Sequence, residues 1–300
     1  MKNLYKIGLI SILILSACQN ETNKNDKPTV IVTLFPHYDM VRAIAQDNVN
    51  LSLLLPSGVE PHAYEPSPRT IININESDLL IYTSNRMETW MSGVFNQLNQ
   101  NGPVIVDSSK DIKFIKDEDE DDEYDPHYWL DPLNAKIMVE NITQGLGEID
   151  PTNADFYRTN ANDYLRKLDE LDANFVDLFQ HVKMNKIIYG GHFAFGYLAA
   201  RFNIEILSPY AGYSPDAEPS VSSLTELIDT MKQNNINVIF YEELIDPKIA
   251  RIISEQTGST IEVLHGAHNV SKEEMEEGIS YFDIMNNNIA KLKVALNYEQ

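Results

Sequence analysis

Between residues 154 and 182 the chain runs without proline or glycine, while Tyr157, Tyr164, Leu165, Leu168, Leu171, Phe175, Leu178 and Val182 recur at helical spacing. At the rise of an α-helix this stretch is a rod roughly 40 Å long, enough to cross a whole domain. On either side of it, short β-branched runs alternate with longer helical stretches. Ahead of the rod, 30–35, 51–55, 79–83 and 104–107 read as strands, 86–98 as an amphipathic helix, and 134–149 as a helix closed by Asp150-Pro151. After it, 187–189, 205–207, 238–241 and 261–264 read as strands, with helices between them and a last helix over 272–296. The alternation restarts where the rod ends, so the expected fold is α/β, with two parallel-sheet βαβ lobes joined by one long rigid helix and a crevice between them. No residue-level repeat relates the two halves.

The 300 residues, 43% of them hydrophobic, suffice for one large core or two smaller ones. A formal net charge of -22 excludes a surface built for nucleic acid or anionic lipid and is compatible with cations. Lys2 and Lys6 precede a mostly apolar run over 7–15, and Leu15-Ser16-Ala17-Cys18 closes it at the only cysteine. That ending resembles the lipobox of bacterial lipoproteins, in which Cys18 becomes the lipidated first residue; the plain alternative is a secretory signal with an incidental cysteine. The expected division is a lipoprotein signal peptide over 1–18, a flexible tether over 19–28, an N-terminal α/β lobe over 29–150, a linking helix over 151–183 and a C-terminal α/β lobe over 184–300. Without Cys18 no thiol remains, so neither a disulfide nor a thiolate zinc site can form. A transition-metal site must use histidines and carboxylates.

Ligands of open α/β sheets bind beyond the carboxyl ends of strands. His62 follows the strand ending near Leu55, His127 the strand ending near Asp107, His192 the strand ending near Tyr189, and His268 the strand ending near Leu264. Two come from each lobe. Four imidazoles from four loops can close a tetrahedral nitrogen site, and imidazole suits zinc, copper and nickel better than manganese or calcium. His265 is the rival of His268, with water as the fallback; His37 follows the first strand, where it shapes the turn or supports the site, and His181 on the rod is a surface or packing residue. Protons compete for neutral imidazole, so affinity should fall as pH drops through about 6.5.

Four stretches carry a resemblance: Pro61-His62-Ala63-Tyr64-Glu65-Pro66-Ser67-Pro68, Asp125-Pro126-His127-Tyr128-Trp129-Leu130-Asp131-Pro132, Gly190-Gly191-His192-Phe193-Ala194-Phe195-Gly196-Tyr197 and Asp216-Ala217-Glu218-Pro219-Ser220. In this order they resemble the zinc- and manganese-specific solute-binding lipoproteins of bacterial ABC importers, the ZnuA, AdcA and TroA-like group, over nearly all of the mature chain. The resemblance implies a C-clamp of the two lobes with metal held between them, and His62, His127 and His192 at the first three ligand positions. Manganese-binding relatives typically carry Glu at the third, so His192 favours Zn²⁺. The fourth position is usually Asp or Glu; here His268 stands there.

The function expected is an extracytoplasmic, lipid-anchored, monomeric receptor that captures Zn²⁺ for a membrane permease driven by an ATPase subunit, and not an enzyme. A manganese receptor of the same type is the nearest alternative. A zinc hydrolase would need an open coordination position and a base; no His-Glu-x-x-His stretch is present, and Glu65 is the one carboxylate to consider. A third reading is a surface adhesin or zinc buffer. The acidic run 117–123 is either a cation-attracting loop or a solvated one without function.

Overall fold

The computed structural model describes residues 27–59, 61, 64–116, 124–191, 194–210 and 219–299. Cys18 and the signal segment, His62, the run 117–123, His192 and the stretch Asp216-Ala217-Glu218 lie outside the described residues.

The first half builds β1 (Thr29–Val32), α1 (Phe35–Ala45), β2 (Asn50–Leu53), α2 (Pro68–Glu76), β3 (Leu79–Tyr82), α3 (Met91–Phe95), β4 (Val104–Asp107) and α4 (Pro132–Ile149). Its sheet is wholly parallel in the order β2-β1-β3-β4, with Val30 opposite Leu51 and Leu79. β3 is buried on both faces, which is why Leu79-Leu80-Ile81-Tyr82 reads as a continuous apolar run. Then comes α5 (Ala154–Gln180), 27 residues long, whose buried stripe is Tyr157, Ala161, Tyr164, Leu168, Leu171, Phe175 and Leu178.

The second half builds β5 (Lys186–Ile188), α6 (Gly196–Phe202), β6 (Glu205–Leu207), α7 (Val221–Asn234), β7 (Val238–Tyr241), α8 (Lys248–Thr257), β8 (Thr260–Val263), α9 (Lys272–Glu277) and α10 (Tyr281–Ala295). β5 pairs with β6 and β7 with β8, all parallel, and a parallel bridge from Tyr189 to Phe240 joins the pairs into the order β6-β5-β7-β8. One apolar cluster runs from Val30 and Met40 through Trp129 and Leu168 to Tyr189, Leu264 and Tyr281, so the core is continuous across both lobes. Among the described residues no helix is long and apolar enough to cross a membrane.

Two expected helices differ. The stretch 86–98 is helical only over Met91–Phe95. Glu88 turns inward there, accepting the Thr83 and Ser84 N–H groups and the Thr33 hydroxyl, and this local capping replaces a first helical turn. The last helix is two: Gly278 takes a left-handed φ of 74° and ends α9, and Ser280 starts α10 with a capping box to Asp283.

Candidate metal site

Asp131 caps α4 by accepting the Leu133 N–H, and Pro132 occupies its first turn. The single 3-10 turn Tyr128–Leu130 ahead of it sets His127 and the fully buried Trp129 between the lobes. Both lobes hold this segment. From the second half, the Tyr197 hydroxyl donates to the Asp125 carbonyl at 2.8 Å and the Tyr281 hydroxyl to the Trp129 carbonyl at 2.5 Å. Trp129 Nε1–H donates in turn to the Gly266 carbonyl at 2.8 Å. From the first half, the Tyr128 hydroxyl donates to the Thr83 carbonyl and meets Ser108 Oγ, which donates to the Tyr82 carbonyl and lies 2.8 Å from His37 Nε2.

The segment after β8 is tied the other way. The Phe35 N–H donates to the His268 carbonyl, the Gly58 N–H to the Val270 carbonyl, and the Asn269 amide to the Pro56 and Val59 carbonyls. These bonds bring His127 and His268 together, with ring centroids 4.9 Å apart and planes at 82°, both against Trp129.

Each ring has a carboxylate on Nδ1. Asp125 Oδ1 lies 2.7 Å from His127 Nδ1 and Glu243 Oε1 lies 3.1 Å from His268 Nδ1. A carboxylate there fixes the tautomer and leaves Nε2 as the ring's ligand nitrogen. Burial pushes the Asp125 carboxyl up to about 8, against the pull of the His127 and Gly196 N–H groups and of His268. Burial also raises Glu243, but His265, His268 and the Gly266 N–H outweigh it and hold that carboxyl at about 2.

His265 sits differently. Its Nδ1 accepts the Ala267 N–H at 2.9 Å, and its Nε2 stands 3.9 Å from Glu274. His37 is fully buried in the first turn of α1, and desolvation lowers it to about 3. His181 is exposed at the end of α5, where Nδ1 meets the Asp177 carbonyl. Glu65 is exposed. Among the described residues no three His, Asp, Glu or Cys side chains gather as a metal-holding group. The neighbours in sequence of the two remaining histidines are placed: Pro61 is buried ahead of His62, and Gly191 ahead of His192 accepts the Ser208 hydroxyl at 2.8 Å. Lys116 and Tyr124 pair as an antiparallel bridge, and Tyr124 stacks on Phe114 at 4.0 Å, closing the base of the run 117–123. The sequence reading gave no role to Asp125 or Glu243; Asp125 stands two residues from His127, but nothing local connects Glu243 to His268.

Two parallel-sheet lobes clamped by one long helix, with their strand ends facing, define the chain as a two-lobed solute-binding receptor. The family described as zinc-uptake complex component A, periplasmic (ZnuA), matches residues 30–295, and the chain belongs to it. The chain is 36% identical to the high-affinity zinc uptake system protein ZnuA of Bacillus subtilis, over 95% of this chain and 94% of that one. A structure of the Zn(II)-bound ZnuA-like domain of Streptococcus pneumoniae AdcA superposes with a TM-score of 0.79 at 30% identity, over 90% of this chain and 99% of that one. The laminin-binding protein Lmb of Streptococcus agalactiae, described as a bifunctional protein with adhesin and metal transporting activity, superposes at 0.80 with 28% identity, over 90% and 100%.

Proposed function

We propose that this chain is the Zn²⁺ receptor of an ABC uptake system, anchored outside the cytoplasm through Cys18, that works as a monomer and delivers the ion to a permease driven by its ATPase subunit. Its work is coordination and release, with no chemistry on the ion. His62, His127, His192 and His268 are the ligands in this reading. The observation that carries it is the cross-lobe pair of His127 and His268, 4.9 Å apart between ring centroids and each backed by a carboxylate on Nδ1. Neutral nitrogen donors from both lobes suit zinc and are poor for manganese. The distinct seating of His265, whose Nδ1 is taken by the Ala267 N–H, favours His268 as the fourth ligand.

Metal content and chelator competition test this on the soluble domain from about Lys27 onward, as wild type and as His268→Ala. One tightly held zinc per chain, weakened at least tenfold by the substitution, is expected. Tight zinc indifferent to His268→Ala would remove His268 from the site, and preferential manganese would overturn the cargo.

A further inference from the structure

In the second lobe the strand order β6-β5-β7-β8 changes direction between β5 and β7, and ligands of open parallel sheets gather beyond the strand ends at such a point. The residues following those two strands are Gly190-Gly191-His192 and Glu242-Glu243. We propose that Glu243 is a positioning residue for zinc capture: it orients His268 through Nδ1 and supplies anionic charge that a histidine-only ligand set lacks. The inference rests on His268 being a ligand, as read above.

Buried glutamate is unusual unless its oxygens are engaged. Here both are: Oε2 accepts the Gly266 N–H at 2.6 Å and Oε1 lies 3.1 Å from His268 Nδ1. His265 Nδ1 is also near, at 3.4 Å, but it already accepts the Ala267 N–H and so has no proton to offer. The imidazole proton facing Glu243 therefore belongs to His268.

The backbone is bent to make this contact. Leu244, directly after Glu243, has a φ of 63°, and Ala267, directly before His268, has a φ of 55°. Neither residue favours the left-handed region, and such outliers persist where the surroundings demand them. Between them Gly266 is sterically required, because a Cβ there would stand 2.4 Å from His268 Cε1 and 3.3 Å from Glu243 Oε1. Main chain, glycine and carboxylate converge on one ring.

Four neutral imidazoles leave the full double charge of zinc uncompensated in a buried site, which is costly. Glu243, behind His268, is a buried carboxylate that can supply compensating negative charge. It can offset part of the ion's charge without entering its coordination shell.

The experiment is a cycle of zinc affinities by chelator competition, with the unfolding midpoint of each metal-free variant as a check on the fold. Glu243→Gln in the wild-type background should weaken zinc by tenfold or more. His268→Glu puts a carboxylate in direct reach of the ion and beside Glu243, so in that background Glu243→Gln should strengthen zinc. This reversal of sign is what a purely structural glutamate would not give. Equal losses in both backgrounds, or no loss in the first, overturn the proposal. If His268→Ala leaves affinity unchanged, the ligand reading itself fails and this inference falls with it; a loss with His268→Ala but none with Glu243→Gln sinks only the role of Glu243. Should Glu243→Gln not fold, nitrogen NMR of the wild-type protein decides: zinc on His268 Nε2 with a protected Nδ1–H supports Glu243, and zinc on Nδ1 excludes it.

Discussion

Histidine is the residue on which this molecule turns, and the described copies differ in what burial does to them. His37 has no exposure and its Nε2 is engaged by Ser108, and desolvation lowers its pKa from 6.5 to about 3. Below pH 6.5 the unfolded chain takes up a proton at this position that the native protein refuses. The sign follows: His37 leaves stability intact above about 6.5 and removes it as pH falls toward about 3, at about 1.4 kcal/mol per pH unit. Denaturant unfolding of the metal-free protein at pH 7, 6 and 5, compared with His37→Gln, should show a shallower pH slope in the variant by about that amount. An identical slope would mean that His37 is protonated in the native state. Proton competition with zinc at the proposed ligand histidines is separated from this effect by comparing the series with and without zinc.

At the scale of elements, the first lobe also has its change of direction, between β1 and β3 in the order β2-β1-β3-β4. There the place beyond the strand ends is filled by protein: Glu88 accepts from Thr33 after β1 and from Thr83 and Ser84 after β3. Burial raises this carboxyl although all those donors pull it down. Glu88→Gln would turn an amide nitrogen toward at least one of the donors, leaving it unmet in the interior. A loss of about 1 to 3 kcal/mol in unfolding free energy is expected, with zinc affinity changed far less; a stability equal to wild type would show that the network relaxes freely. This residue also explains what the sequence could and could not tell. Strands such as Leu79–Tyr82 and the long α5 were legible because apolar periodicity is a local property. The stretch 86–98 was not, because Glu88 makes its bonds back to Thr33, 55 residues away, and the helical period alone does not reveal an inward-turned carboxylate. Motif and strand-end position singled out the candidate ligands, of which His127 and His268 are described and stand together. Glu243 was not legible in this way: it lies 25 residues from His268, and an adjacent pair of glutamates after a strand reads as solvated surface.

For the whole molecule, the question is how far the lobes move when zinc leaves. The ties between them do not run through ligand nitrogens. Trp129 donates to Gly266, Tyr281 to Trp129, Asn269 to Pro56 and Val59, and Arg42 to the Ile279 carbonyl. Arg201 on α6 reaches Asp131 at 2.9 Å and Asp172 on α5 at 2.5 Å. Beneath them the core is continuous. A wide rotation would strip partners from several buried groups, at about 1 to 3 kcal/mol each, and reopen packed apolar surface besides. Closure should therefore be modest, with release governed by the segments that carry the ligands. Small-angle scattering should give the same radius of gyration for the metal-free and zinc-loaded protein; a clear expansion on zinc removal would show hinge opening instead. Asn269→Ala separates the two mechanisms, because it cuts the tie to Pro56 and Val59, just ahead of His62, and leaves α5 and Trp129 in place. Faster zinc dissociation with an unchanged radius of gyration is expected. A larger radius in this variant would make Asn269 a latch between the lobes, and unchanged dissociation would show that the Asn269 side-chain tie does not govern release.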